Sequence, residues 1–187
     1  VNGLLELRQA IVNKLAREND LHYTVNQIVV SNGAKQSVYN LCMALLDPGD
    51  EVILPAPYWV SYAEIVKMAG GVPVIANSSI EQDFKSTPEE IEALITDRTK
   101  FILYSSPCNP SGSVFSFEEL QALALMLQAH EHVLVVSDEI YEHINFTDRH
   151  YTIASMEGMK DRTVIINGMS KGYAMTGWRL GYIAGPD

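Results

Sequence analysis

The sequence predicts an α/β fold, a three-layer α/β/α sandwich whose mainly parallel sheet has roughly seven strands. Three observations carry this. Short apolar runs rich in valine, isoleucine and leucine alternate with segments of helical periodicity. The runs are continuously apolar, as strands covered on both faces must be. And 187 residues, 47% of them hydrophobic, suffice for one substantial core.

The elements follow in order. ELRQAIVNKLAREND (6–20) has Leu7, Ile11 and Leu15 at four-residue spacing, an amphipathic helix. QIVVSNGAKQSVYNLCMALL (27–46) gives a short strand, a turn at Asn32-Gly33 and an apolar helix. DPGD (47–50) turns into the buried strand EVILP (51–55). YWVSYAEIVKMAGG (58–71) reads as a helix ending at a glycine pair, before the strand VPVIAN (72–77). STPEEIEALI (86–95) opens with a helix-start signature, and KFILYSS (100–106) is a strand. SFEELQALALMLQAH (116–130) is a helix with Ser116 as N-cap and Glu119 as its capping-box partner. HVLVVSD (132–138), TVIIN (163–167) and LGYIAG (180–185) complete the strands. There is no internal repeat or low-complexity segment, and DPGD and SSPCNPSGS are loops within one domain.

The net charge of −10 argues against a broad nucleic-acid surface, which needs a positive field. Any anion site must be local. No window is long and apolar enough to span a membrane, and no signal peptide is visible. The two cysteines, Cys42 and Cys108, have no metal-like spacing and read as free thiols of a reducing cytoplasm. A start without Met and an end just after a strand-like run suggest a piece of a larger protein.

The polar and reactive residues gather after the strands. SNGAK (31–35), APYW (56–59), PCNPSG (107–112), DEIY (138–141) and NGMSK (167–171) each follow one. In such sheets ligands sit at the carboxyl ends of the strands. SNGAK at a helix start suits a phosphate, because free N–H groups and the helix dipole favour an anion and Gly33 lets the backbone come close. An ordinary strand-to-helix turn would use the same glycine. Arg179 could hold a phosphate bidentately or make a surface salt bridge. Asp138 ends an apolar run, where a carboxylate needs a cation or donors, whether as an N-cap, a loop ion pair or a ligand-binding group. Lys171 is either a solvent-facing lysine or a nucleophile and base held in a pocket.

Together, a lysine that can bond a carbonyl, an acid for a pyridinium nitrogen and a phosphate cradle are the parts of a pyridoxal 5'-phosphate (PLP) site. The chain resembles the aspartate aminotransferase family, the class I/II aminotransferases among the fold-type-I PLP-dependent enzymes. The resemblance covers nearly the whole chain. NPSG, SDEIY, and SK followed by GWRLGY stand in the family's order and at its spacing. It implies that Lys171 is the lysine covalently bound to the cofactor, and that Asp138 partners the pyridinium nitrogen. Tyr141 and Asn109 would donate to the phenolic oxygen. The backbone of Ala34 and Lys35, beside Gly33, would hold the phosphate with Ser170 and Arg179. Trp59 would stack on the ring and border the substrate, whose carboxylate Asn109 would also touch.

The resemblance further implies transamination of aspartate, or of a related acidic or aromatic amino acid, with 2-oxoglutarate, by a cytoplasmic homodimer. A lyase or synthase on the same fold, or a PLP-sensing domain of a transcription regulator, would share the site. Residues 1–187 would be the large, cofactor-binding domain, without the family's N-terminal arm and C-terminal small domain and inactive alone. Gly168 departs from the pattern, since some members carry a phosphate-binding serine there. His130, His132, His143 and His150 form no metal-ligand pattern and read as surface or loop residues. Cys108 reads as a buried or loop thiol, Tyr58 and Tyr62 as packing residues at a helix start, and Met43, Met126, Met156 and Met159 as core fillers.

Overall fold

A computed structural model describes residues 2–147 and 149–186. Seven strands form one sheet: β1 (Ile28–Ser31), β2 (Glu51–Pro55), β3 (Val72–Ala76), β4 (Thr99–Ser105), β5 (Leu134–Asp138), β6 (Thr163–Gly168) and β7 (Gly181–Ala184). Their order is β1-β7-β6-β5-β4-β2-β3. Neighbours are parallel from β3 through β2, β4 and β5 to β6. Only β7 is reversed, antiparallel to both β6 and β1. The carboxyl ends of the other six strands therefore meet at one edge of the sheet, and the start of β7 joins them there.

Among the described residues five α-helices cover the sheet: α1 (Leu5–Asn19), α2 (Ala34–Leu45), α3 (Ser61–Met68), α4 (Pro88–Glu92) and α5 (Phe117–Gln128). Strand alternation decides which helix meets which side chains. Val52, Leu54, Phe101, Leu103, Val136 and Ile166 pack against α2 and α3. Ile53, Ile102 and Val135 point the other way, onto α4 and α5. Ile11 and Leu15 of α1 pack on Ile28, Ile165 and Ala184 on that same side. Burying a leucine such as Leu15 completely stabilises the fold by about 2 kcal/mol.

Local signals fix several boundaries. Ser116 Oγ accepts from the Glu119 N–H at 3.2 Å while Glu119 Oε2 accepts from the Ser116 N–H at 2.7 Å, so the expected capping box forms. Thr87 and Glu90 make another, with Pro88 opening α4. Two helices are shorter than the periodicity predicts. α4 spans five residues, and α3 starts at Ser61, leaving Tyr58, Trp59 and Val60 in the turn that leaves β2. Met43 is half exposed on α2, unlike the core filler expected.

Candidate active site

The strand ends converge on a cavity of about 380 Å³. Ala34 and Lys35 reach it from the start of α2, Trp59 from the β2–α3 turn and Asn109 from the loop after β4. Asp138 and Tyr141 come from the end of β5, Ser170 and Lys171 from the segment after β6, and Arg179 from the approach to β7. All nine residues expected there line the same space. The tenth, Gly33, lies against Arg179: a Cβ built on it would stand 2.2 Å from a guanidinium nitrogen. Its φ of +87° also suits glycine alone.

The α2 end is open to an anion. The Gln36 and Ser37 N–H groups turn back to the Gly33 carbonyl, whereas those of Ala34 and Lys35 meet no acceptor among the described residues. Across from them Arg179 Nη1 donates to Ser170 Oγ at 3.5 Å and to the Thr176 carbonyl at 2.8 Å. Arg179 itself sits in the left-handed region at φ +52°, a local backbone cost of about 1 kcal/mol. The reversal of β7 puts this guanidinium at the right edge of the sheet.

Asp138 is 4% exposed and lies on the α3 side of the sheet by strand parity. Its Oδ2 accepts from the Tyr62 hydroxyl at 2.6 Å and its Oδ1 from the Ile140 N–H at 3.2 Å. No lysine, arginine or histidine pairs with it among the described residues. Burial pushes its carboxyl up to about 6, and the Tyr62 bond opposes that rise. Lys171 Nζ stands 5.6 Å from the centre of the Tyr141 ring and is open to solvent on its outer side. Lys35 Nζ lies 4.7 Å over the Trp59 ring.

Sequence reasoning missed two residues here. Tyr62 was expected only to pack; it is buried, meets Trp59 edge-on at 5.5 Å, and turns its hydroxyl to Asp138. The available signal was a phenol within an apolar helix stripe, because a buried hydroxyl must find a partner. Ser105 lies beside Asp138 in the parallel register and lines the cavity too. His150 departs from the loop reading in another way: it is mostly buried, with Nε2 3.1 Å from the Glu139 carboxylate on the opposite face. Gly168 is fixed by packing, since a Cβ there would lie 2.7 Å from the Leu180 carbonyl oxygen. A serine at that position would force one of the two backbones to shift.

The chain is 50% identical to the aspartate/prephenate aminotransferase of Nitrosomonas europaea, over 100% of this chain and 47% of that protein. It is 51% identical to the bifunctional aspartate aminotransferase and glutamate/aspartate-prephenate aminotransferase of Petunia hybrida, over 98% of this chain and 39% of that protein. The aspartate aminotransferase structure from Rhizobium meliloti superposes with a TM-score of 0.97 at 48% identity, over 99% of this chain and 47% of that one. The Thermus thermophilus aspartate aminotransferase with maleate gives 0.95 at 45% identity, over 99% and 48%. The chain thus spans about half the length of these relatives, or less. Residues 1–187 match the aminotransferase class I and II family, and the chain belongs to it.

Proposed function

We propose that residues 1–187 are the PLP-binding large domain of an aminotransferase that moves the amino group of L-aspartate, or of a related acidic or aromatic amino acid, to 2-oxoglutarate. The observation that carries this reading is Asp138: a buried carboxylate without a cationic partner among the described residues, lining a cavity that also holds a lysine and an anion cradle. A pyridinium N–H is the partner that position lacks. The free amides of Ala34 and Lys35, with Ser170 and Arg179, suit a phosphate dianion. The residues present fit the group.

PLP, when bound, supplies an electron-accepting ring conjugated to the reacting carbon. The chain's own residues do the rest. Lys171 would hold the cofactor through its amine and, when free, would serve as general base for the substrate Cα proton. Asp138 would keep a proton on the ring nitrogen. Tyr141 and Asn109 would donate to the phenolic oxygen, and Asn109 would also touch the substrate carboxylate. Trp59 would stack on the ring and border the substrate.

Lys35 supports an acidic substrate. Its ammonium, without a carboxylate partner among the described residues, is free to meet a second carboxylate. The maleate of the Thermus thermophilus structure is a dicarboxylate, as are aspartate and prephenate in the relatives' names. An aromatic aminotransferase from Pyrococcus horikoshii also superposes with a TM-score of 0.95, which keeps aromatic substrates within the proposal. A homodimer is part of the same reading: Val60 and Trp178, next in sequence to Trp59 and Arg179, are over three-quarters exposed and offer apolar surface. No helix among the described residues is long and apolar enough to cross a membrane. The two free thiols suit a cytoplasmic setting.

The test is to mix the protein with PLP, reduce with borohydride and locate the modified peptide by mass spectrometry. A pyridoxyl group on Lys171, absent from Lys171→Ala, supports the reading. Wild-type protein that takes none on Lys171 overturns it.

A further inference from the structure

We propose that Tyr62 is a positioning residue for this chemistry: its hydroxyl holds the Asp138 carboxylate ionised and correctly turned toward the ring nitrogen. The inference rests on the PLP reading above. Tyr62 is 1% exposed, on the face of α3 that packs against the sheet. Its hydroxyl is the one side-chain donor that reaches Asp138 among the described residues; the other bond comes from the Ile140 backbone. The phenol is a dependable donor, because burial and the facing carboxylate hold its own ionisation well above the usual tyrosine range.

Asp138 needs such a donor. It is buried, and the next residue, Glu139, is a second buried carboxylate that disfavours its charge. Strand parity sends Glu139 to the other face, where Ser137, Thr152 and His150 engage it. The other titratable groups around Asp138 lie across the cavity or beyond Tyr62. They are Lys35 from α2, Lys171 and Arg179 from the β6–β7 segment, Tyr141, and the Cys108 thiol near Tyr62. None of them bonds to the carboxylate. Before the cofactor arrives, the phenol and the Ile140 N–H together offset desolvation, the phenol through the larger share; with a pyridinium present, the same phenol bond would keep the carboxylate turned toward it.

Tyr62→Phe keeps the ring and its edge-on contact with Trp59 and removes only the hydroxyl. The experiment follows the Asp138 carboxyl by ¹³C NMR during a pH titration of the apoprotein, and PLP affinity over the same pH range by fluorescence. In Tyr62→Phe the Asp138 midpoint, about 6 in the wild type, rises by about 1 to 2 pH units, the worth of one charge-assisted bond. The acidic limb of the affinity profile moves up with it. Site-specific 3-fluorotyrosine at position 62, a stronger donor of nearly the same size, moves the midpoint down, which covers the case in which the phenylalanine variant does not fold.

A midpoint unchanged in both variants shows that Tyr62 only packs and overturns the proposal. Wild-type protein that takes no pyridoxyl group on Lys171 overturns the cofactor reading and, with it, the role given to Tyr62. The carboxyl titration needs no cofactor, so it tells the two failures apart.

Discussion

Replacing Asp138 by asparagine should make the apoprotein more stable at neutral pH while weakening its grip on the cofactor. The carboxyl titrates at about 6 in the fold against an ordinary 3.8. A folded value above the unfolded one means that its stabilising contribution is complete below 3.8 and is lost as pH rises through 6. That gap of about 2 pH units, at about 1.4 kcal/mol each, sets the cost of holding the charge at pH 8 at about 3 kcal/mol. Most of that loss, about 2 kcal/mol, falls between pH 4.5 and pH 8. The asparagine variant has no charge to hold, although its amide forfeits the charge-assisted bond from Tyr62. The difference between the two proteins across pH is therefore the clean quantity. Urea unfolding at pH 4.5 and pH 8 should show the wild type losing about 2 kcal/mol relative to Asp138→Asn. Saturating PLP should cancel most of that loss in the wild type by supplying the missing cation. Parallel stability profiles for the two apoproteins would refute the claim that Asp138 is held as a costly, unpaired charge.

Four further outcomes follow from the same geometry. Lys171→Ala in the full-length protein should abolish transamination yet keep PLP bound through the phosphate cradle, checked by turnover and by retention on dialysis. Lys35→Ala should lower kcat/KM for aspartate by about tenfold or more and leave an aromatic amino acid little affected, since only the dicarboxylate loses a charge-assisted contact. His150→Phe should cost about 3 kcal/mol near pH 6 by removing the cationic partner of the buried Glu139 carboxylate and leaving it only the Ser137 and Thr152 hydroxyls. The His150 ring is held above its ordinary 6.5 chiefly by Glu139 against the pull of burial, so that cost should shrink as pH rises through the folded value, read by urea unfolding at pH 6 and pH 9. Gly168→Ser should destabilise the fold by about 1 to 3 kcal/mol, read by thermal melting, because its Cβ would press on the Leu180 carbonyl.

The sequence by itself determined the layers. Continuous apolar runs such as EVILP and KFILYSS are too short for helices and are bounded by turn residues, so they read as strands buried on both faces. It also marked most of the residues that line the cavity, because SNGAK, PCNPSG, DEIY and NGMSK each follow a strand and parallel strands end at one edge. Tertiary structure decided what periodicity cannot express. The reversal of β7 brings Arg179 to the cavity, and nothing in LGYIAG announces its direction. The place where α3 rests on the sheet turns Tyr62 from a packing residue into a donor, since a stripe of apolar positions records burial and not what a polar tip will meet. The glycine that stands three residues before Lys171, where a serine was the alternative, has the same origin: the backbones of β6 and β7 approach so closely at Gly168 that a side chain there would push one of them aside.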